Sequence, residues 1–258
     1  GVIPEESEIM ELLRHFSPCA KHITITGGEP FLFRQSMFRV LEYCKERFCG
    51  TEFLILTNGR VFCIDDYANM LSRSISPNTV LAIPLHGSNA ALHDSITQAQ
   101  GSFSQTVFGI TKLLHLQVPV EIRVVVSKYN FYDLIDLAKL ITETMPTAYR
   151  VHFIGLEMLG NAAVNSKNVW IPYSEAFTAI KPAANMLISA GINVGIYNFP
   201  LCAVEPDYWP LCKKSISEYK RKFPAACQNC SCLHICGGVF SGSLRFAETN
   251  LHPINPVN

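Results

Sequence analysis

Six of the ten cysteines in the chain fall between Cys202 and Cys236, after a long stretch from Cys63 that has none. In a reducing compartment a dense group of thiols is suited to holding metal, whereas scattered single thiols behave as small hydrophobes. Cys19, Cys44, Cys49 and Cys63 are of the scattered kind, and Cys19, next to a strand, is expected to pack. Cys227-x2-Cys230-x5-Cys236, followed by Gly237 and Gly238, is a spacing at which thiolates from one compact turn converge, with Cys202 available as a fourth ligand from the preceding strand end. Four thiolates suit Zn²⁺ and an iron–sulfur cluster alike, so spacing leaves both open. Cys212 and Cys232 are spare candidates, and "CQNCSC" leaves open whether Cys230 or Cys232 binds.

The second chemical signal is "HITITGGEPFLF", His22 to Phe33. Ile23 to Thr26 have the period of two and the β-branching of a strand, so Gly27 sits at a strand's carboxyl end. Two residues without a Cβ allow unusual backbone conformations and close approach of another molecule, while Pro30 has no amide to continue a ladder. Glu29 is then either a solvated acid in a tight turn or an acid held in a fixed direction. Other strand ends carry turn residues too: "TNGR" from Thr57 and "LHGS" from Leu85. Arg123, between Ile122 and Val124, either pairs with a neighbouring acid or, facing a pocket, grips a carboxylate through two hydrogen bonds. His86, His93, His115, His152 and His234 follow no metal-ligand spacing and are expected to be structural or solvated; Asp65 and Asp66 open a helix and read as caps.

These groups need elements to position them. Ile9, Leu12, Leu13 and Phe16 form a helical stripe before the opening strand, and Met37, Leu41, Cys44 and Phe48 repeat that spacing after it. "EFLILTNG", "TVLAIPLHG", "VEIRVVVS", "YRVHFIG" and "INVGIYN" are further strands, with helices expected at 65–74, 106–116, 131–145 and 173–190. Six strands alternating with helices imply right-handed crossovers and a parallel sheet, open or curled into a full or partial barrel, with binding groups at the strands' carboxyl ends. Near Phe199 the character changes to a cysteine-rich, irregular tail, which divides the chain into 1–198 and 199–258.

Composition narrows the function classes. With 48% hydrophobic and 16% charged residues the chain suits a well-buried core. Lys plus Arg equals Asp plus Glu at 21 each, so no global field draws it to nucleic acid or an anionic membrane. No run of about 18 apolar residues appears and the amino end has no signal-peptide pattern, so the expected location is cytoplasmic.

"ITITGGEPFLF", "LILTNGR" and the string of β/α units together resemble the radical S-adenosylmethionine enzymes across nearly the whole chain. The resemblance implies that Gly27, Gly28 and Glu29 meet the amino group of the methionine moiety of S-adenosyl-L-methionine. It also implies that Asn58 lies at the site's edge, that Arg123 suits the methionine carboxylate, and that Gly155 to Gly160 border the adenosine. "HDSITQAQGSFSQTVFGITKLL", "GLEMLGNA", "IYNFPLCAVEPDYWP" and "SISEYKRKFPAACQNCSCLHICGG" resemble the His-Xaa-Ser system radical SAM maturases. That implies a peptide or protein substrate with His-Xaa-Ser repeats, leaves room for a partner maturase, and implies 5′-deoxyadenosyl radical chemistry. It favours an auxiliary [4Fe-4S] cluster on Cys202, Cys227, Cys230 and Cys236. The family's catalytic [4Fe-4S] cluster is held by C-x3-C-x2-C upstream of the "GGEP" strand, and nothing in this chain matches it. The expected fold is therefore a partial (β/α)6 radical SAM barrel lacking its first strand, with a cysteine-rich C-terminal extension, in an amino-terminally truncated chain inactive by itself. The opposing expectation is a non-enzymatic binding module with a structural zinc site in the tail.

Overall fold

The structure is a computed structural model and describes residues 5–33 and 35–255. Along the chain run α1 (Glu6–Arg14), β1 (His22–Ile25), α2 (Gln35–Arg47), β2 (Glu52–Leu56), α3 (Asp65–Ser74) and β3 (Thr79–Pro84). There follow α4 (Ala90–Thr97), α5 (Ser102–His115), β4 (Val120–Val126), α6 (Leu134–Thr144), β5 (Arg150–Gly155), the short α7 (Asn161–Val164) and α8 (Ser166–Val169), α9 (Tyr173–Ser189) and β6 (Asn193–Tyr197). The tail adds β7 (Cys212–Lys213), β8 (Arg221–Lys222), β9 (Val239–Phe240) and α10 (Leu244–Ala247). Among the described residues β1 to β7 form one sheet in sequence order, and β8 and β9 pair separately and antiparallel. The pairs β1–β2, β2–β3, β5–β6 and β6–β7 are parallel. Sequential parallel strands joined through helices are the α/β topology expected of a partial (β/α) barrel.

The sheet has seven strands among the described residues where six were expected. The seventh, β7, comes from the tail and pairs with β6 through Ile196↔Cys212 and Tyr197↔Lys213. Two residues carry no periodicity, so only the pairing reveals the strand.

The chain forms two compact units. The first comprises residues up to Pro84 with Gln100–Ile122 and Thr147–Tyr149; the second comprises Leu85–Ala99, Arg123–Pro146 and Arg150 onward. In the first, Ile23 of β1, Phe53 of β2 and Val40 and Cys44 of α2 are buried together with Leu13 and Phe48. The apolar positions of α2 recur at helical spacing and are buried: Met37, Phe38, Val40, Leu41 and Cys44. Burial pushes the Cys44 thiol up to about 11, as befits an inert core thiol.

Three expectations need correction in this unit. Leu13 is the one buried residue of α1, while Leu12 is 58% exposed and Phe16, past the helix end at Arg14, is exposed too. Cys19 is exposed rather than packed. Asp65 and Asp66 are the first residues inside α3 and Ile64 holds the cap position without a side-chain capping bond. An acid caps from the residue before the helix; inside the first turn it acts on the dipole instead, and Asp65 also pairs with Lys112.

In the second unit α6 packs along α9. Leu137, Ala138 and Ile141 on one helix and Ala183, Ala184 and Leu187 on the other are all buried, and the alanines permit the close approach. Among the described residues no helix is long and apolar enough to cross a membrane.

In the first unit a Cβ at Gly109 of α5 would lie 2.3 Å from the Gly59 carbonyl oxygen. The obstacle is backbone, so Gly109→Ala is expected to lower stability by about 1–3 kcal/mol, the usual cost of overpacking. A urea midpoint shift at unchanged slope measures it; an unshifted midpoint would mean that the helix can move away without cost.

Candidate functional site

At the carboxyl end of β1 the backbone turns through Gly27 (φ +105°) and Gly28 (φ +55°), conformations that side chains resist. A Cβ at either would meet nothing within 4 Å. Both glycines are exposed, so the backbone dihedrals demand glycine here and their main chain faces open space. Glu29 follows, half-buried, and is held from both sides. Its Oε1 accepts from the Thr57 hydroxyl at 2.6 Å and the Phe31 N–H at 3.2 Å, and its Oε2 accepts from the Asn58 N–H at 2.7 Å. Thr57 and Asn58 directly follow β2, so one carboxylate fastens the loop after β1 to the loop after β2. A carboxylate offers about four lone-pair sites, which leaves room for one further donor such as an ammonium.

Asn58 is exposed; its Oδ1 accepts from the Arg60 N–H at 3.0 Å and its carbonyl from the Thr106 hydroxyl at 3.3 Å. Gly27, Gly28, Glu29 and Asn58 thus come together within the first unit. Thr57 was not singled out from the sequence, although it sits in the same "TNGR" turn; nothing in a lone threonine announces a hydrogen bond to a residue 28 positions away.

Arg123 and Gly155 belong to the second unit. Arg123 is half-buried in β4, and its carbonyl accepts from the Leu85 N–H at 2.9 Å. Gly155 is buried at the end of β5, where a Cβ would lie 2.6 Å from the Asn198 carbonyl oxygen and 3.0 Å from the Tyr173 ring. Its missing side chain is therefore used for packing inside the protein.

The loop after β3 is fixed by a polar network. Asp133, buried, accepts from the Ser88 N–H at 2.6 Å and the Ser88 hydroxyl at 2.7 Å. Asn130 donates through Nδ2 to the carbonyls of His86 and Val125, both at 3.0 Å. His93 accepts at Nδ1 from the His86 N–H at 3.1 Å, and the two rings lie 5.6 Å apart. Two histidines that look isolated in sequence are thus neighbours. Burial, and then the nearby His93, bring the His86 pKa down to about 4. The imidazole is neutral, and its Nδ1 is buried without a hydrogen-bond partner among the described residues.

In the tail, Cys202, Cys227, Cys230, Cys232 and Cys236 line one cavity, walled by Lys222 to Pro224, Gly238, Val239 and the chain near Ile254. Backbone N–H groups converge on the sulfurs. Ile254 donates to Cys230 at 3.3 Å, and Leu201 and Gly238 donate to Cys236 at 3.5 and 3.4 Å. The His252 backbone donates to Cys202. Burial, and then the thiols of Cys202, Cys236 and Cys230, push Cys227 up to about 11. Cys212, half-buried and pushed up to about 12 by desolvation, lies outside the cavity lining and points its sulfur at the Tyr208 carbonyl, 3.8 Å away. Cys232 shares the lining, but its sulfur neighbour is the Ser231 hydroxyl at 3.8 Å. Among the described residues no three His, Cys, Asp or Glu side chains stand so as to hold a metal ion directly.

Comparison with known proteins places these features in a family. Residues 2–141 match the Radical SAM superfamily. The AdoMet-dependent heme synthase of Nitratidesulfovibrio vulgaris is 25% identical over 147 residues, which is 57% of this chain and 38% of that protein. The antilisterial bacteriocin subtilosin biosynthesis protein AlbA of Bacillus subtilis is 25% identical over 130 residues, 50% of this chain and 28% of that protein. The chain thus spans well under half the length of these relatives. The Streptococcus suis SuiB structure bound to S-adenosylmethionine shares the fold at a TM-score of 0.55 and 13% identity, over 68% of this chain and 39% of that one.

Glu29→Ala leaves the Thr57 hydroxyl and the Asn58 amide without their acceptor and is expected to destabilise the first unit by about 2 kcal/mol, the scale of a charge-assisted hydrogen bond. Chemical denaturation of variant and wild type checks it. His86 supplies a pH signature: its native pKa of about 4 lies below the ordinary 6.5, so between those values the unfolded chain binds the extra proton. Stability is fully present above pH 6.5 and falls as pH drops towards 4. Replacing His86 by Asn should flatten that part of a stability-against-pH curve, and an unaltered slope would assign it to other groups.

Proposed function

The chain belongs to the radical SAM superfamily, and from that premise we propose that it is part of a peptide maturase that modifies a peptide or protein with His-Xaa-Ser repeats after translation. The observation that carries the reading is the thiol-lined cavity in the tail of a radical SAM chain. The sequence resemblance to the His-Xaa-Ser system maturases supports that repeat, and the match to AlbA, a protein of bacteriocin biosynthesis, supports a peptide substrate in general. SuiB, alike in fold, is known with its precursor peptide SuiA. A second maturase is the partner this reading allows. This reading includes a reducing, cytoplasmic setting, where a dense thiol group serves metal binding.

The donor set fits an auxiliary [4Fe-4S] cluster on Cys202, Cys227, Cys230 and Cys236. Thiolate ligands with backbone N–H donors on their sulfurs are the surroundings such clusters use to set their potential. Four thiolates about 2.3 Å from one centre would hold a single Zn²⁺ as well, so metal content decides between the two. The ligand set of the catalytic cluster, C-x3-C-x2-C, is not among the residues of this chain, and no step is assigned to it. When bound, S-adenosyl-L-methionine and reduced iron–sulfur together supply a 5′-deoxyadenosyl radical able to take hydrogen from a peptide side chain.

The residues of this chain have positioning roles. Glu29, already fixed by three donors, offers its remaining lone pair to the methionine ammonium, and the open main chain at Gly27 and Gly28 admits it. Asn58 bounds that end. Arg123 and Gly155 keep the roles implied by the resemblance, towards the methionine carboxylate and the adenosine.

Anaerobic reconstitution with iron and sulfide tests the tail. The chain is expected to hold about four iron atoms and to lose them when Cys227 and Cys230 are both changed to Ser, without releasing 5′-deoxyadenosine under dithionite. Stoichiometric zinc with no bound iron would favour the binding-module reading. For the cofactor, Glu29→Ala should weaken S-adenosyl-L-methionine binding by about 1.5–3 kcal/mol in calorimetry, and equal affinity would remove Glu29 from the site.

A further inference from the structure

The tail reaches from the thiol cavity to the loop that follows β5. Lys222 and Phe223 form one side of the cavity, and Gly238 and Val239 another. These segments meet as the β8–β9 ladder, through Lys222↔Val239 and Arg221↔Phe240, and the Ser241 N–H extends it with a 2.8 Å bond to the Lys220 carbonyl. Immediately beyond come Gly242 and Ser243. Ser243 is fully buried; its hydroxyl accepts from the Met158 N–H at 3.1 Å and donates to the Leu156 carbonyl at 3.2 Å. A Cβ at Gly242 would lie 2.7 Å from the Met158 carbonyl oxygen and 3.0 Å from the Leu159 side chain. Between the two Ser243 bonds, Glu157 meets Lys220 at 3.4 Å. Three successive loop residues are therefore each held by the tail, across 63 to 87 positions of sequence: Glu157 to Lys220 is the shorter span and Leu156 to Ser243 the longer.

A two-residue ladder has little stability of its own and takes its order from what it packs against. Here one end of that ladder is a wall of the thiol cavity and the other end leads within three residues to Ser243. We propose that the tail is a strut, with Ser243 as a positioning residue, so that filling the thiol cavity sets how firmly the loop 156–158 is held and how tightly it binds a nucleoside-bearing cofactor. This rests on the reading above, that the cavity takes an iron–sulfur cluster and the loop borders the adenosine. The coupling is reciprocal: a cofactor that orders the loop also stabilises the loaded cavity.

The test uses the full chain after anaerobic reconstitution. Three quantities are measured: bound iron, S-adenosyl-L-methionine affinity by calorimetry, and hydrogen exchange of the Met158 amide. Ser243→Ala removes the hydroxyl, and Gly242→Ala pushes on the same loop from the neighbouring position. Both are expected to keep their iron and bind the cofactor about five- to tenfold more weakly, the loss of one buried hydrogen bond or its equivalent in strain. Met158 exchange should quicken in both, and also in wild-type protein stripped of iron by a chelator, a comparison that needs no variant. Wild-type affinity in the folded variants, or Met158 exchange that ignores iron, overturns the strut while leaving the assigned sites standing. Wild-type protein that takes up no iron, or does not bind S-adenosyl-L-methionine, overturns the reading of the sites and the strut with it.

Discussion

One carboxylate governs the first unit. Where parallel strands end, their main-chain groups lose ladder partners and need other ones. Glu29 gathers three donors from two such ends: the Phe31 amide behind it, and the Thr57 hydroxyl and Asn58 amide across from it. The arc through Gly27 and Gly28 is anchored by this bolt. The same Thr57 hydroxyl also accepts from the Gly59 N–H at 3.2 Å, and the Gly59 carbonyl is the surface against which Gly109 of α5 packs. The bolt therefore runs from the open glycines through the turn after β2 to a helix. A neutral side chain at position 29 could satisfy part of that set, but not three donors on two oxygens with a lone pair to spare.

The second unit solves the same problem with sulfur and with buried polar side chains. After β6 the chain has no long element; it proceeds by short turns, two-residue strands and the strap near Ile254. Such a segment takes its order from short hydrogen-bonded turns and from contacts with its neighbours. The backbone amides of Leu201, Gly238 and Ile254 already point at sulfur, so the surroundings of a thiolate are prepared in the polypeptide. At the end of β3 a different device serves: Asp133 and Asn130, both buried, supply the loop with partners, and His86 is kept neutral there by its surroundings.

These devices share a property. Each fixes backbone at a strand's carboxyl end with groups from elsewhere in its unit, and leaves little to loop flexibility. Positioning of reactive groups by a stiff frame is what a protein contributes when a cofactor performs the bond-breaking.

The periodicities at Ile23 to Thr26, Glu52 to Leu56 and Val120 to Val126 and the stripe of α2 are local properties, and the strands and helix they announce are present. So are the turn chemistry of "GGEP" and the clustering of the tail cysteines, because short spacings translate directly into neighbourhood. Position relative to a helix end or to the surface is not local in this way. Asp65 falls one residue inside its helix instead of at the cap, and Cys19 and Leu12 face solvent although their types favour burial. The pairing of Glu29 with Thr57, of Ser88 with Asp133 and of Met158 with Ser243 spans 28, 45 and 85 residues. A hydroxyl or a carboxylate has one pattern in sequence whatever it bonds to, and its partner is chosen only when folding brings distant strand ends within hydrogen-bond reach.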